Sequence, residues 1–285
     1  MKTFRSSVLL VAIFLSTVCT VFAADKGKCV QVKSLNESSL AFKGGEQLTF
    51  AIHYKWGVVN ADVAKFSTKV DTTVYNGRKV FHASMSGGTQ KIYASLFTVD
   101  EKLDSWFTRD GLVPLKFTRK AQEGSYTCTN LYSYIWNPGN THIKASLNNS
   151  RKGDFYADIP LDNCTFDLPT LYYVLRNMDV SSLTVGGRYP MTFAVDDDVY
   201  HLHFVYYGKE EKKVSGVGTV RALKFGFQVV AGDVFTEGSD LYAWFSDDEN
   251  RIPVMFVAPL KIGQVQGRLS SYKGLKHEFK SLIKK

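Results

Sequence analysis

The sequence lacks the motifs by which most enzymes are recognised. It contains no GxSxG elbow, no GxxxxGK[ST] loop and no HExxH, the patterns of serine hydrolases, P-loop nucleotide-binding proteins and zinc peptidases. Two SxxK stretches, SSYK and SLIK, occur without the SDN and KTG elements that accompany this motif in β-lactamases. We therefore expect a protein that is not an enzyme and needs no cofactor. A hydrolase or metal-binding protein built on acidic residues is the alternative.

After the first two dozen residues the chain has no long apolar run. No stretch there approaches the roughly 20 residues of a membrane span. At the start, Lys2 and Arg5 precede an apolar stretch that ends in Val21-Phe22-Ala23. A basic start, an apolar centre and short residues before a cut make up a cleaved signal peptide. We predict a signal peptide over residues 1–23, an extended polar leader over 24–43 and a periplasmic location.

Little net positive charge lies outside the C-terminal tail. Removing residues 1–23, which contain one Lys and one Arg, lowers the net charge from +8 to +6. Residues 262–285 hold six basic residues and one acidic residue, a net charge of +5. Nucleic-acid binding needs basic residues clustered over a face. Without this tail the mature chain is close to neutral, so we predict no nucleic-acid partner.

The tail itself, KGLKHEFKSLIKK, has the pattern of a short basic amphipathic helix. Leu275, Phe279, Leu282 and Ile283 are spaced at i, i+4, i+7 and i+8, and lysines recur every four residues. Such a helix packs on the sheet with its lysines in water, or it attaches to an anionic membrane surface or an envelope polymer. Both alternatives stay open at this point.

Cysteine is rare, and only Cys29, Cys128 and Cys164 lie in the predicted mature chain. An odd number in an exported chain leaves at least one thiol unpaired or intermolecular. We predict a disulfide between Cys128 and Cys164, because Cys29 lies in the polar leader; unpaired thiols are the alternative. No CxxC occurs, so neither a redox pair nor a zinc knuckle is indicated.

Alternating apolar and polar residues run through most of the chain from Gly44 onward. In QLTFAIHYKW, for example, Leu48, Phe50, Ile52 and Tyr54 share one face. Turn stretches such as YNGR, SGGT, QEG and NPGN separate these segments and supply the residues that tight hairpins need. We predict an all-β fold: a single domain over residues 44–285 with a large, curved, antiparallel and barrel-like sheet.

One segment departs from this alternation. DLPTLYYVLRNMD places Leu171, Val174, Leu175 and Met178 at helical spacing, with a proline near its start. It predicts a short helix near residues 167–178. A lone helix in an all-β chain commonly plugs a barrel end or covers an open sheet edge.

Two acidic stretches lie between predicted strands. Asp247 and Asp248 belong to WFSDDENRIPVMF, and Asp197 and Asp198 belong to VDDDVYH. Asp and Asn favour turns because their side chains bond nearby backbone amides, so we predict a hairpin turn at 247–250. If the two turns met in space, four carboxylates could bind Ca²⁺.

A pair of histidines follows the second acidic stretch. His201 and His203 share a strand face because they are two residues apart. Paired histidines can bind zinc when a third ligand is present, but none has suggestive spacing. We predict two histidines on a solvated face.

Several stretches together resemble an exported family of Gram-negative bacteria, domain of unknown function 3108. They are GGEQLTFAIHYKWGVV, GLVPLKFTRKAQEGSY, FDLPTLYYVLRNMD and GSDLYAWFSDDENRIPVMFVAPLKIGQVQGRL. The resemblance implies a mostly β, exported protein without an established activity, and it brings no catalytic residues.

The most specific part of this resemblance is the last stretch. Its signature residues here are Trp244, Asp247, Asp248, Arg251 and Pro253. We expect a structural role for them, in which Arg251 pairs with one of the two aspartates and fixes the hairpin.

The sheet itself suggests a function. A curved sheet that encloses more space than its side chains fill can hold an apolar or amphiphilic, lipid-like ligand. This is our leading hypothesis; a structural or interaction protein that docks through its basic tail is a further alternative.

Overall fold

The structure is a computed structural model that describes residues 29–30, 32–94, 98–162, 164–229 and 240–284. In this part of the chain, fifteen strands form one antiparallel sheet. The predicted signal peptide and the first residues of the predicted leader lie outside the described residues. No helix among the described residues has the length and apolar character needed to cross a bilayer.

Eight strands precede the helix. They are β1 (Glu46–Trp56), β2 (Val59–Tyr75), β3 (Arg78–Thr89), β4 (Val99–Thr108), β5 (Pro114–Glu123), β6 (Tyr126–Asn137), β7 (Asn140–Asn149) and β8 (Gly153–Pro160). Seven strands follow the helix. They are β9 (Arg188–Val195), β10 (Asp198–Val214), β11 (Gly218–Gln228), β12 (Asp240–Ser246), β13 (Pro253–Pro259), β14 (Gln264–Lys273) and β15 (Leu282–Lys284).

The strands follow a meander in which chain neighbours pair. The order across the sheet is β8-β7-β6-β5-β4-β3-β2-β1-β14-β13-β12-β11-β10-β9, and β15 adds to β11. Pairing of β1 with β14 joins the two halves. Among the described residues no ladder joins the edge strands β8 and β9, so the sheet is not closed. These findings confirm the all-β fold class and the large antiparallel sheet.

The predicted helix is confirmed as α1, which spans Leu168–Leu175. The Asp167 side chain caps it by accepting from the backbone amide of Thr170, and a proline occupies its first turn. Its apolar side chains share one core cluster with residues of both halves of the sheet, including Phe107 of β4 and Phe204 of β10. The helix therefore lies within the curve of the sheet.

Because the sheet is a meander, its connections fall at two ends. We call one the helix end: there Arg176, which follows α1, meets Glu46 at the start of β1 and Asn250 between β12 and β13. The other, the far end, holds the connections β1–β2, β3–β4, β5–β6, β7–β8, β9–β10, β11–β12 and β13–β14. The far end thus lies opposite the helix and both chain termini of the domain.

The predicted C-terminal helix is wrong, because residues 275–281 are irregular and Leu282–Lys284 form β15. Side chains of Asp248 and Asn250 bond the backbone of residues 277, 278 and 281, which a helix would bond internally. The tail still uses its apolar residues for packing, since the Phe279 ring lies 5.2 Å from that of Tyr272. The tail therefore packs on the sheet as an extended segment.

The predicted disulfide between Cys128 and Cys164 is also wrong. Cys29 pairs with Cys164, and Cys128 is a free, buried thiol. Cys128 lies within β6, between β5 and β7, whereas Cys164 lies between β8 and α1, where the leader runs. The amide of Lys33 bonds the Asn177 carbonyl there at 3.0 Å. In its described part the leader packs against the domain, and two of its residues, Leu40 and Phe42, are buried beside α1.

Candidate functional site

The acidic stretch at 247–250 is the turn between β12 and β13, as predicted. Asp248 accepts hydrogen bonds from the Ser246 hydroxyl at 2.9 Å and the Asn250 amide at 3.1 Å. Its second oxygen accepts from the amide and the hydroxyl of Ser281 at 3.1 and 2.8 Å. Both carboxylate oxygens are therefore engaged in fixing the turn and the tail.

Asn250 connects this turn to the helix and the tail. Its side chain donates to the carbonyls of His277 and Glu278 and accepts from the amide of His277, at 2.9–3.1 Å. Its carbonyl accepts from Arg176 at 2.8 Å. Arg176 and Glu46 are both fully buried and form a bidentate ion pair. No local sequence pattern indicates this pair, because its members lie 130 residues apart.

The predicted pairing of Arg251 with Asp247 or Asp248 is wrong. Lys209 of β10 reaches Asp247 at 2.9 Å, and Asp248 is occupied as described above. Arg251 has a φ of 48° in the turn. Burial lowers the pKa of Arg251, and the nearby aspartates counter that change only in part.

Trp244 and Pro253 of the signature have structural positions. Pro253 begins β13. Trp244 lies on the outer face of β12, where its Nε1 donates to Glu210 at 2.5 Å and the Lys212 ammonium lies 3.6 Å from its ring centre. These contacts hold one hairpin to its neighbouring strands.

The second acidic stretch forms the β9–β10 turn. Asp196 accepts from Asn130 at 2.6 Å and lies 3.4 Å from Arg119, and its carbonyl accepts from the Tyr132 hydroxyl at 2.6 Å. Asp197 lies 3.9 Å from Lys152, and Asp198 begins β10. This edge hairpin is therefore held against β5 and β6 by polar bonds.

Arg119, which is buried, faces two further carboxylates. Its Nε donates to Glu101 at 2.7 Å, and its Nη2 donates to Glu123 at 3.3 Å. Burial raises the pKa of Glu123 to about 7, and Arg119 opposes this increase. Burial also raises the pKa of Glu101, whose second oxygen is buried without a partner. One guanidinium cannot balance three carboxylates, so this cluster favours binding a proton near neutral pH.

The two acidic turns do not meet. Lys209, which binds Asp247, follows Asp198 by eleven positions along β10, and at about 3.3 Å per residue this corresponds to roughly 36 Å. Within the described residues no group of three or more His, Cys, Asp or Glu side chains is arranged to hold a metal. The hypothesis of one four-carboxylate calcium site is therefore wrong.

The histidine pair is not arranged as a metal site either. His201 lies 3.3 Å from the Thr192 hydroxyl, and the guanidinium of Arg188 approaches His203 to 2.8 Å. Arg188 carries a positive charge and cannot act as a ligand. The pair remains part of a partly exposed strand face, as predicted.

The interior of the far end differs from a filled core. Inward-facing apolar side chains here are only partly buried, although their neighbours on the same strand faces are fully buried. They are Phe66, Leu202, Phe227, Leu241 and Phe256. Close-packed interiors leave few gaps as large as a water molecule. Partial exposure at inward positions therefore indicates open space beside them.

These side chains lie between three clusters of buried apolar side chains. One surrounds α1, one includes Phe50 of β1, and one includes Phe117 of β5. Phe66 packs against two clusters, and so do Leu241 and Phe256. The Phe50 ring lies 5.8 Å from that of Phe66 and 6.3 Å from that of Phe256. A Cβ at Gly267 would come within 2.1 Å of the Phe256 ring, so this ring lies directly against the backbone of β14. The result is an aromatic and aliphatic lining shared by several strands.

A cleft at the helix end has a different character. Its volume is about 270 Å³, and its lining is polar: Glu37, Lys79, Thr108, Arg109 and Asp110. Arg109 forms an ion pair with Glu37 across it. Such a lining does not suit an apolar ligand, whereas the side chains of the far-end interior are apolar.

Comparison with known proteins agrees with the fold. The family model described as "Protein of unknown function (DUF3108)" matches residues 49–270. A solved β-barrel-like protein of domain of unknown function DUF1849 from Brucella abortus is similar at 9% identity and a TM-score of 0.51. That similarity covers 87% of this chain and 100% of the other.

A second solved structure, named as a "putative lipoprotein" from Parabacteroides distasonis, has 9% identity and a TM-score of 0.32 over 82% of this chain and 99% of its own. No curated protein matches the sequence. At 9% identity the Brucella abortus structure bears on the fold alone, and we draw no conclusion from the second structure because its TM-score is below 0.5.

Proposed function

We propose that this chain, which belongs to the DUF3108 family, is an exported envelope protein that binds an apolar or amphiphilic, lipid-like ligand within the far end of its sheet. The observation that carries the proposal is the partial exposure of inward-facing apolar side chains there. Ligand pockets are concave, mostly apolar and few in each protein. The signal peptide predicted over residues 1–23 supports a periplasmic location, where lipids pass between membranes.

The polar features of the site fit binding better than catalysis. Asp247 and Asp248 are engaged in holding the turn and the tail, and the carboxylates around Arg119 hold the edge hairpin. The free thiol of Cys128 is buried, and burial raises its pKa to about 11, which leaves little of the nucleophilic thiolate at neutral pH. Holding a ligand requires none of these groups to react.

A fluorescent fatty-acid probe tests this function. We expect saturable binding with one probe for each protein. Leu241→Asp would weaken it at least tenfold, because it places a carboxylate among apolar side chains. Val74→Asp is the matched control, since Val74 is 64% exposed on β2 at the helix end. Absence of saturable binding, or equal weakening by both variants, would contradict the proposal.

A further inference from the structure

Three neighbouring segments at the far end repeat one short pattern, a lysine followed by a large apolar residue. The pairs are Lys55–Trp56, Lys91–Ile92 and Lys261–Ile262. The apolar members are 44%, 75% and 41% exposed, and Val58, at the tip of the first turn, is fully exposed. All three lysines are exposed as well.

The three segments lie next to one another. β1 pairs with β14, and the Tyr54 hydroxyl donates to the Ile262 carbonyl at 3.0 Å, which joins the first turn to the third. The short 3₁₀ helix Lys91–Tyr93 follows Gln90, whose amide donates to the Val63 carbonyl of β2 at 2.8 Å. The pairs therefore form one continuous rim, which we call the lysine rim (residues 55–58, 91–92 and 261–262).

The segments that form the lysine rim carry no acidic residue of their own. Residues 55–60, 90–94 and 259–264 include no acidic residue. The nearest acid in sequence, Asp62, is engaged by Arg268 and His53. The hydrogen bonds from Arg268 lower the pKa of Asp62, so it is ionised and already paired. No ion pair joins Lys55, Lys91 or Lys261 to another described residue.

This combination fits the surface of a bilayer. Tryptophan side chains favour the headgroup region, where the indole ring is partly apolar and its N–H stays hydrated. Each lysine near an anionic surface adds to the attraction. Exposed apolar residues on separate turn tips can enter the headgroup layer without any change of fold. We propose that the protein docks on anionic lipid bilayers through the lysine rim.

Docking on a bilayer goes beyond the proposed function, and it is inferred from the lysine rim and not from the residues of the far-end interior. It would also serve that function, since Phe256 lies only three residues before the end of β13 at the rim. Leu241 is likewise the second residue of β12 at the same end. A docked rim would place the partly exposed interior next to the bilayer.

Vesicle sedimentation of the full exported chain tests the proposal at low salt. We expect binding to vesicles with about 30% phosphatidylglycerol and much weaker binding to pure phosphatidylcholine. At about fivefold for each lysine, the triple variant Lys55→Gln, Lys91→Gln, Lys261→Gln would lose roughly 100-fold in partition coefficient. The control triple variant Lys43→Gln, Lys79→Gln, Lys213→Gln changes the net charge equally at the helix end and should stay within about twofold.

Three outcomes would overturn the proposal. They are equal binding to neutral and anionic vesicles, equal loss in the rim and control variants, and rim-dependent binding to acidic proteins without binding to vesicles. Trp56→Ser should weaken vesicle binding severalfold, with circular dichroism confirming that the variant is folded. The fatty-acid probe should bind the rim variant normally, so failure of docking and failure of ligand binding are told apart.

Discussion

The helix end and the far end of the sheet differ in how their inward-facing side chains are covered. At the helix end, α1, the leader and the tail cover the sheet, and the buried guanidinium of Arg176 is bonded to Glu46 and Asn250. At the far end the described connections are turns and one short 3₁₀ helix, and inward apolar side chains stay partly exposed. Within the described residues, one curved sheet therefore carries additional segments and a buried ion pair at one end and partly exposed apolar side chains at the other.

Arg176 shows how tightly the helix end is built. Its guanidinium bonds both oxygens of Glu46 and the carbonyl of Asn250, and three aromatic rings surround it. Burying an ion pair is costly unless nearly every bond of both groups is satisfied. The helix end meets this condition, which fits a role in fixing the fold.

The largest expected effect comes from breaking this pair. Arg176→Met leaves the Glu46 carboxylate buried and unpaired, which typically costs about 3–5 kcal/mol of unfolding free energy. Urea unfolding measures the loss. Lys209→Met, which removes the exposed partner of Asp247, is the control and should cost less than about 1 kcal/mol. Adding Glu46→Leu to Arg176→Met should recover most of the loss; no recovery would show that the carboxylate is not the cause.

A smaller effect concerns the carboxylates around Arg119. Burial raises the folded-state pKa of Glu123 to about 7, above its ordinary value of 4.5. The folded protein therefore holds a proton that the unfolded chain has lost. Stability must fall as pH rises from about 4.5 to 7, by roughly 3 kcal/mol if Glu123 acts alone.

Urea unfolding across this pH range tests the effect. Glu123→Gln should remove most of the slope, whereas Glu211→Gln on the exposed part of β10 should leave it unchanged. The buried Asp167, whose pKa is raised to about 6 by burial, would supply the remainder. Stability that rises with pH in this window would contradict the assignment.

The smallest expected effect comes from enlarging a side chain at a partly exposed inward position and at a fully packed one. Leu241 and Ala243 share the inward face of β12, but only Ala243 is fully packed. Leu241→Phe and Ala243→Leu each add three heavy atoms. Overpacking a filled site typically costs about 1–3 kcal/mol, which we expect for Ala243→Leu, and less than 1 kcal/mol for Leu241→Phe. Equal losses in urea unfolding would mean that the far end is packed like the helix end.

The sequence predicts the features of this fold that are set by local patterns. Alternation predicts the strands and the antiparallel class, and the spacing of Leu171, Val174 and Leu175 predicts α1. Strands β7 and β8 have a weaker local pattern, because small residues such as Ala145 and Ala157 lie among their inward positions. Turn chemistry also predicts the hairpin at 247–250.

Contacts between residues that are distant in the sequence could not be predicted from local patterns. The disulfide joins Cys29 to Cys164 because the leader runs beside the segment before α1, which no local pattern shows. The tail has helical spacing, yet backbone bonds to Asp248 and Asn250 hold it extended. The exposure that marks the far-end interior likewise depends on how separate strands meet around Phe66 and Phe256.

Native mass spectrometry of the protein gently purified from the periplasm tests the central claim most directly, when followed by extraction of whatever is bound. The account predicts a bound apolar or amphiphilic molecule in stoichiometric amount, and its loss in the Leu241→Asp variant but not in Val74→Asp. Protein that carries no ligand and also fails to take up the fatty-acid probe would contradict the account. That result would favour the alternative of a structural or interaction protein.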